Sequence, residues 1–333
     1  MKKLLIISND KLYFKKKKIY SDYNDTINII EGLAKKNILY FISRSSYKRG
    51  IYVAKIKKIF QLKIQELRSF DFQKKKILMI SITPFNFFVF LLISFFHKRI
   101  DGFVLLRSDG FKEYNKKYGI LGKKLYELFF NAILKKFYPI IVSKSLTGIE
   151  SFNYHNILPS EINEIWKKNI KKPNLSIANL LYLGRIKKEK GIFSLLKLTK
   201  SLTIKYKLNI VGANKTQSYK GFKIKYYKET SNINKIIQYY DQNNIFVLPS
   251  YTEGSPKVIL ESLSRFRPVI IFTEIKHVKS KWKGVFVSKR NSNNFQKTIN
   301  HILKNYKKIQ IEMKKNKIPT KNQFQKRLVD IIK

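Results

Sequence analysis

The chain has 333 residues, which is enough for two domains of ordinary size. Hydrophobic residues make up 44% and charged residues 27%, which excludes a wholly disordered or collagen-like chain, and the lack of cysteine excludes disulfides, thiolate zinc sites and cysteine nucleophiles. Lys and Arg number 69 against 21 Asp and Glu, a net charge of +48. Without cysteine, a reducing, cytoplasmic location is expected.

The charge is spread along the whole chain. Residues 1–170 carry 33 basic and 13 acidic side chains, and residues 171–333 carry 36 and 8. A nucleic-acid footprint is usually a patch or stripe, so this distribution favours the codon bias of an AT-rich genome together with a general attraction to anionic surfaces. A basic, non-enzymatic nucleic-acid-binding protein stays open as an alternative.

The first half of the chain alternates apolar strands with helical patterns. Strands are predicted at Leu4–Ser8, Ile38–Ile42, Gly102–Leu106 and Ile140–Ser143, and helices at Thr26–Lys36 and Gly122–Phe137. This rhythm predicts an α/β fold with parallel sheets.

Ile77–Phe96 is consistent with two structures. Fifteen of its 20 residues are apolar, and its length meets the requirement for a membrane-spanning helix. Ser81 and Pro84 interrupt it, however, and favour a strand over Ile77–Ile82 followed by a helix over Asn86–Phe96. We expect the second structure, because a spanning helix would divide the sheet. The predicted helix is apolar nearly all round, so it is either deeply buried or lies in a membrane surface.

A second strand–helix series follows a mixed stretch at residues 156–179, which is predicted to be a linker. Its strands are predicted at Leu180–Leu183, Leu208–Val211, Phe222–Tyr226, Ile245–Leu248 and Pro268–Phe272. We expect an N-terminal domain over residues 1–170, a C-terminal domain over residues 171–318, and a terminal helix over residues 319–333.

One candidate site follows the predicted strand Ile245–Leu248. A short loop there contains Glu253 and Gly254, and Pro256 suits the first position of a helix. The free N–H groups at the beginning of that helix form an anion site at the carboxyl end of the sheet. Glu261 lies about a turn and a half into the helix, so both carboxylates are expected to face one cleft.

A second candidate site follows the predicted strand Leu180–Leu183. A loop begins at Gly184-Arg185 and ends at Lys190-Gly191, where another helix is predicted. Cations beside free amide groups suit a diphosphate, so Arg185 and Lys190 are candidates to bind one.

Together these two stretches resemble the donor domain of the family 4 retaining glycosyltransferases (glycosyltransferase group 1), over about Leu180–Phe272. The segment from Gly184 to Gly191 and the glutamates Glu253 and Glu261 occur in the family's order and at its approximate separation. The resemblance implies the GT-B fold, in which two Rossmann-like domains face each other across a cleft. It also implies that the terminal helix packs back on the first domain.

The resemblance also implies a role for each residue. Arg185 and Lys190 neutralise the donor diphosphate as it leaves, Glu253 contacts hydroxyls of the transferred sugar, and Glu261 binds the nucleotide ribose. The other donor-site residues are Gly184, Gly254, Ser255, Pro256 and Lys257, the last four acting largely through their backbone. Neither a metal nor another cofactor is expected, because Arg, Lys and the helix dipole take the role of a divalent ion.

In the first domain the resemblance is looser. After the predicted strand Gly102–Leu106, Arg107 or Asp109 is expected to face the reacting sugar, and Asp109 is the catalytic candidate. The alternative for Asp109 is a turn or capping residue. The run Lys15–Lys18 is either a solvated loop or a membrane anchor.

The function implied by the resemblance is transfer of a hexose-type sugar, with retention, from a nucleotide-sugar donor to a saccharide acceptor. The setting is assembly of a bacterial surface polysaccharide such as lipopolysaccharide or capsule. The basic surface and the apolar Asn86–Phe96 helix suit a lipid-linked acceptor and peripheral attachment to the anionic inner face of the plasma membrane. A nucleotide-sugar epimerase or hydrolase of the same fold is the enzymatic alternative.

Overall fold

The computed structural model describes residues 2–15, 18–71, 76–97, 100–144, 146–213, 217–218, 223–279 and 282–333. The chain forms two compact units: unit 1 comprises Met1–Pro159 and Lys321–Lys333, and unit 2 comprises Ser160–Thr320. The division after Pro159 comes earlier than the predicted boundary at residue 170. It does so because the buried side chains of Arg265 and Arg267 donate to backbone carbonyls within residues 166–171 and hold this stretch in unit 2.

In the described part of unit 1, nine strands form one sheet. The strands are β1 (Lys2–Lys15), β2 (Lys18–Ser21), β3 (Asn37–Ser45), β4 (Tyr52–Lys55), β5 (Ile59–Gln61), β6 (Lys76–Ile80), β7 (Gly102–Leu106), β8 (Phe137–Ile141) and β9 (His155–Asn156). The helices are α1 (Asn24–Ala34), α2 (Pro84–Phe96) and α3 (Gly110–Leu134). The strand order is β4-β2-β1-β6-β7-β8-β9, with β3 also paired to β1 and β5 to β3.

In the described part of unit 1, all strand pairs of the sheet are parallel except β1–β2 and β2–β4, so β2 runs opposite to its neighbours, and the sheet is covered on both faces. Successive residues of β1 alternate between two apolar clusters: Leu5 and Ile7 belong to one, and Leu4 and Ile6 to the other. Burial on both faces explains why these strands are continuous apolar runs in the sequence.

β1 is longer than the predicted strand. Its first part pairs in parallel with β3 and β6, and Leu12–Lys15 pairs with β2 as an antiparallel hairpin. The extension buries Leu12 and Ile19 in one of the two apolar clusters, so the hairpin adds to the core. Lys15 and Lys18 are opposite each other at its tip, and Lys16 and Lys17 lie outside the described residues.

Ile77–Phe96 divides into β6 and α2, as predicted. Thr83 caps α2, since its hydroxyl accepts a hydrogen bond from the Asn86 backbone N–H at 3.2 Å. The Asn86 side chain donates to the carbonyls of Ile80 at 2.8 Å and Ser81 at 2.7 Å, which fastens the helix to the end of the strand. In the ranges that the structure describes, no helix is both long and apolar enough to cross a bilayer.

α3 begins at Gly110, well before the predicted start at Gly122. The early start is possible because Asp109 caps the first turn, accepting a hydrogen bond from the Lys112 backbone N–H at 3.2 Å. A kink at Gly119, with φ of 66° and ψ of −157°, interrupts the helix. A left-handed φ of this kind favours glycine.

Among the described residues of unit 2, seven strands form a second sheet in the order β12-β13-β11-β10-β14-β15-β16. They are β10 (Ala178–Leu183), β11 (Tyr206–Ala213), β12 (Gln217–Ser218), β13 (Ile224–Lys228), β14 (Ile245–Leu248), β15 (Val269–Phe272) and β16 (Val285–Ser288). The helices are α4 (Ile192–Lys200), α5 (Ile233–Gln242), α6 (Lys257–Ser264), α7 (Ser292–Lys304) and α8 (Tyr306–Met313). Neighbouring strands are parallel except β12 and β13, so the loops after β10, β11 and β14 leave the sheet at one edge. Phe222, the first residue of a predicted strand, lies outside the described residues, and β13 begins at Ile224.

The last helix, α9 (Lys321–Ile332), belongs to unit 1 and packs on α1. Lys321 Nζ lies 2.7 Å from Glu31 Oε2, and Gln325 Nε2 donates to the backbone and side-chain oxygens of Asn28 at 3.0 and 2.8 Å. Leu328 is fully buried in the apolar cluster on this side of the sheet. The chain therefore ends in the unit in which it began.

Candidate functional site

The predicted site residues of unit 2 lie where the loops after β10, β11 and β14 converge. Gly191 has a φ of +70°, and a Cβ atom there would collide with the carbonyl oxygen of Pro249. Gly212, at the end of β11, has a φ of +122°, and a Cβ atom there would collide with the carbonyl oxygen of Gly184. These two close backbone approaches require glycine and bring the three loops into one region.

Glu253 is held in the centre of this region. Lys190 Nζ lies 2.7 Å from its Oε1, and Ser250 Oγ donates to the same oxygen at 2.7 Å. The ring of His277, which follows β15, contacts the backbone carbonyl of Glu253 at 2.8 Å through Nε2. The structure therefore brings Lys190 and Glu253 together, although 62 residues separate them in the sequence. Lys190 and Ser250 both contact the same carboxylate oxygen, Oε1.

Arg185 lies in the loop that follows β10 and has an exposed side chain. Its backbone carbonyl accepts a hydrogen bond from Tyr182 Oη at 2.7 Å, which fixes the loop at the end of β10. Burial, with a further contribution from the charge of Glu253, raises the pKa of Tyr182 far above its ordinary value, so the hydroxyl stays protonated and able to donate. Within the described residues the Arg185 guanidinium has no ion-pair partner, which leaves it available to an anion.

Glu261 lies on α6, and its partner is Tyr240 on α5. Tyr240 is fully buried, and its Oη donates to Glu261 Oε2 at 3.0 Å. Burial raises the pKa of Glu261, because its effect exceeds the lowering effects of this hydrogen bond and of the Lys257 charge. The carboxylate is therefore costly to ionise, and a ligand that donates hydrogen bonds to it would recover part of that cost.

The segment Gly254–Lys257 leads into α6. Pro256 occupies the capping position and Lys257 is the first residue of the helix, one position later than predicted. The Lys257 ammonium forms an ion pair with Glu161. What this segment presents is the first backbone N–H groups of α6, which have no acceptor inside the helix. The beginning of α4 lies at the same edge, and both helix ends carry partial positive charge.

Arg290 supports the loop that carries Glu253 and was not predicted from the sequence. Its guanidinium lies 4.2 Å from the ring centre of Tyr251 and 4.4 Å from that of Phe272. It also donates to the carbonyl of Pro249 at 3.0 Å. Arg290 follows β16 and belongs to neither motif, so only the order of strands in the sheet brings it here. His277 was likewise not assigned a role, because its contact is with a backbone carbonyl and leaves no pattern in the sequence.

In unit 1, polar side chains gather where β6 and β7 end. Arg107 Nε donates to Ser81 Oγ at 3.1 Å, and its Nη2 lies 3.5 Å from Asp10 Oδ2. Thr26 donates to the same carboxylate oxygen. Ser81 has a φ of +66°, a sparsely populated conformation for a residue with a Cβ atom, and such strain is concentrated at functional sites.

Asp109 has the capping role that was the alternative to catalysis. Besides the Lys112 N–H, it accepts hydrogen bonds from Thr147 Oγ1 at 2.8 Å and Thr147 N at 3.3 Å, and Lys112 Nζ lies 3.0 Å away. Burial alone would raise the pKa of Asp109, but the hydrogen bonds from Lys112 and Thr147 outweigh it and lower the pKa. Both carboxylate oxygens therefore hold the beginning of α3 and the Thr147 segment.

Across the described residues, no three His, Asp or Glu side chains come together in a way that would hold a metal ion. The absence of a metal requirement stays a prediction.

Residues 163–318, almost the whole of unit 2, match the family model described as glycosyl transferases group 1. The match covers less than half of the chain. TuaC of Bacillus subtilis (strain 168), a glycosyltransferase assigned to teichuronic acid biosynthesis, is 34% identical over 153 residues. That alignment covers 41% of this chain and 37% of TuaC, so the chain matches little more than a third of its relative's length.

Solved structures show similarity over the whole chain. Sucrose-phosphate synthase from Thermosynechococcus elongatus has a TM-score of 0.67 at 14% identity, covering 100% of this chain and 95% of its own. Anabaena HepE in complex with UDP-glucose has a TM-score of 0.64 at 11% identity, covering 99% and 98%. At such low identities the similarity concerns the fold, and the predicted GT-B class with two Rossmann-like units is confirmed.

Proposed function

We propose that this protein transfers a sugar from a nucleotide-sugar donor to a saccharide acceptor, with retention of the anomeric configuration. The observation that carries the proposal is the 2.7 Å contact between Lys190 and Glu253 at the carboxyl edge of the unit 2 sheet. The family match of unit 2, and the fold shared with HepE in complex with UDP-glucose, support a donor of this kind.

The donor diphosphate is the leaving group, and its negative charge grows as the bond to the sugar breaks. Arg185 is exposed and without an ion-pair partner in the described residues, and Lys190 is partly exposed beside the beginning of α4. Two cations and two helix beginnings at one edge would stabilise that charge in the transition state. The existing pair with Glu253 holds Lys190 in position before the donor arrives.

The two glutamates have different tasks in this proposal. Lys190 and Ser250 both contact Oε1 of Glu253 and so orient the carboxylate. Its Oε2 then accepts a hydrogen bond from a hydroxyl of the transferred sugar. Glu261 is held by Tyr240 through Oε2, which leaves Oε1 for the ribose hydroxyls of the donor. In each case one carboxylate oxygen is held by the protein, and the other accepts a hydrogen bond from a hydroxyl of the nucleotide sugar.

The acceptor and its setting are further parts of the proposal. The polar group of Arg107, Ser81 and Asp10 at the carboxyl edge of unit 1 offers donors and an acceptor for a saccharide. The assignment of TuaC to teichuronic acid biosynthesis supports a role in bacterial surface polysaccharide assembly. Lipid-linked saccharides are the acceptor class that we propose, on the cytoplasmic side of the membrane.

The first experiment identifies the donor. Nucleotide sugars that differ in base and sugar are added to the full chain, and the melting temperature is recorded, because a ligand that binds only the native state raises it. The donor that gives the largest increase is then used with saccharide acceptors in a transfer assay. Product NMR reports the anomeric configuration, and an inverted product contradicts the proposed retention.

The second experiment tests the site. Lys190→Ala is expected to lower transfer about a hundredfold or more, because it removes a cation from the leaving group. Lys188→Ala is the matched control, since Lys188 lies in the same turn, is exposed and carries the same charge. Equal activity of the two variants would refute the assignment. Consumption of the donor without any acceptor would instead identify a hydrolase or epimerase.

A further inference from the structure

α3 exposes an apolar surface around its kink. Four of its aliphatic side chains and one tyrosine are exposed to between 47% and 80%: Tyr118, Ile120, Leu121, Leu125 and Leu128. The opposite face of the helix is buried, with Tyr126, Phe129 and Ile133 in a core cluster. A helix with apolar residues on its core face and again on its outer face indicates an interaction site on the outer face.

The sequence at the kink is regular. Residues 116–124, which we call the α3 tip, read Lys-Lys-Tyr-Gly-Ile-Leu-Gly-Lys-Lys, so an apolar centre is bracketed by two pairs of lysines. Gly119 breaks the helical conformation within this centre, which places Ile120 and Leu121 at a corner of the helix with 72% and 80% exposure. Long lysine side chains on both sides let the charged groups stay in a polar layer while the centre enters an apolar one.

α2 adds a second exposed apolar stripe on the neighbouring helix. Phe88, Leu91 and Phe95 follow one another at helical spacing and are exposed to 51%, 48% and 82%. α2 and α3 pack together, since the rings of Phe87 and Phe129 stack with centres 4.2 Å apart. α2 is therefore neither wholly buried nor wholly exposed, because its Val89, Phe90 and Ile93 face the core.

The charges on α3 select the kind of partner. The helix carries the five lysines Lys112, Lys116, Lys117, Lys123 and Lys124 against the two acids Glu113 and Glu127. The four lysines of the α3 tip have no acidic residue among them in the sequence. An apolar centre with a cationic border matches a surface that is apolar below and anionic at its edge.

We propose that the α3 tip and the exposed stripe of α2 insert into the interfacial layer of an anionic phospholipid bilayer. Ile120 and Leu121 enter the acyl boundary, and the lysine pairs contact lipid phosphates. The inference concerns a surface of unit 1 and needs no donor, so it does not depend on the transfer reaction. It adds to the proposed function, because it holds the protein at the surface where a lipid-linked acceptor lies.

The test is flotation of the full chain with vesicles, without any nucleotide sugar. Vesicles of phosphatidylcholine mixed with phosphatidylglycerol are expected to bind the protein, and vesicles of phosphatidylcholine alone to bind it far more weakly. The double variant Ile120→Ser with Leu121→Ser is expected to lower binding about tenfold or more, since two apolar side chains lose their insertion. Lys123→Glu with Lys124→Glu is expected to lower it by at least about fivefold for each lysine.

Matched variants in unit 2 separate this surface from the general basic charge. Ile233→Ser with Ile311→Ser removes two exposed apolar side chains, and Lys307→Glu with Lys308→Glu makes the same change of charge on α8. Both pairs are expected to leave vesicle binding within about twofold of the unmodified protein, because exposed substitutions at sites that touch no partner have small effects. Circular dichroism checks that each variant is folded.

Three outcomes would overturn the inference. The first is that the unmodified protein does not bind the mixed vesicles. The second is that the unit 1 and unit 2 variants lose vesicle binding equally. The third is that the Ile120→Ser with Leu121→Ser variant is folded and still binds the vesicles normally. Sedimentation velocity tests whether a second copy of the chain covers this surface instead. An unmodified protein that is dimeric and does not bind vesicles, with a variant that is monomeric, would show that the surface joins two copies of the chain.

Transfer to a water-soluble acceptor is measured in parallel, and it is expected to be unchanged in the α3 variants. An unmodified protein that transfers sugar but does not bind the mixed vesicles would overturn this inference and leave the proposed function standing.

Discussion

Arg265→Ala tests the buried network that holds the beginning of unit 2. The Arg265 side chain is fully buried and that of Asp241 is 5% exposed. Arg265 Nε and Nη2 donate to the two oxygens of Asp241 at 3.0 and 2.6 Å. The same guanidinium donates to the carbonyls of Trp166, Lys168 and Asn169 at 2.9, 2.7 and 3.0 Å.

The size of the effect follows from what the substitution leaves behind. Removing one partner of a buried ion pair costs about 3–5 kcal/mol, because the other charge stays desolvated. Arg267 lessens the loss, since its Nη2 lies 3.6 Å from Asp241 Oδ1 and remains in the variant. We therefore expect a loss near the lower end, about 3 kcal/mol. Arg265→Lys keeps the charge but not the planar set of donors, so its loss is expected to be smaller.

Urea unfolding followed by tryptophan fluorescence measures this loss in unit 2. The two tryptophans of the chain, Trp166 and Trp282, both lie in unit 2 and are buried. With an m-value of about 1–3 kcal/mol/M, a loss of about 3 kcal/mol lowers the midpoint by roughly 1–3 M. Arg185→Ala removes an exposed arginine from the same unit and is expected to change stability by less than about 0.5 kcal/mol. A loss below about 1 kcal/mol in Arg265→Ala would show that the network does not hold this segment.

Two further predictions concern the carboxylates. Glu261→Gln is expected to weaken donor binding about tenfold or more without lowering the melting temperature, because glutamine keeps the hydrogen bond from Tyr240 and carries no charge that burial opposes. Since the pKa of Glu261 is raised, wild-type donor affinity is expected to fall on acidification at a pH above the ordinary value of 4.5, and calorimetric titration should show no such step in the variant. Asp109→Ala is expected to cost about 1 kcal/mol as a lost cap and to speed hydrogen exchange in the first turns of α3. The pKa of Asp109 is lowered, so its contribution is present at pH 7 and is lost as the pH falls below the ordinary 3.8.

Each of these has a contrary result. A Glu261→Gln variant that binds the donor as tightly as the wild type would remove Glu261 from the binding site. A large loss of transfer in Asp109→Ala, with hydrogen exchange in α3 unchanged, would support the predicted catalytic role of Asp109 over its role as a cap.

The parallel order of elements was predictable because its causes are local. A strand buried on both faces is a continuous apolar run, as in β7 and β14, and Gly102–Leu106 and Ile245–Leu248 were predicted with the bounds that they have. The interruption at Ser81 and Pro84 was enough to separate β6 from α2. The loop after β14 was recognisable because a strand, a glycine and a helix beginning follow one another within a short stretch.

Contacts between distant segments were not predictable in this way. The hairpin of β1 and β2 depends on burial of Leu12 and Ile19 against α1 and β3, and their polar neighbours have the composition of a loop. The contacts of Asp109 include Thr147, which is 38 residues away and whose hydroxyl donates a hydrogen bond to Asp109 Oδ2.

The sequence by itself determined the α/β class, the two series of strands and the residues that follow β10 and β14, because hydrophobic period and loop composition act between near neighbours. Only the tertiary structure decided that Lys190 meets Glu253, that Arg290 and His277 support the same loop, and that Ile120 and Leu121 stay exposed. These arrangements depend on which strands lie side by side and on which helix faces remain uncovered, and both are settled when segments far apart in the chain pack together.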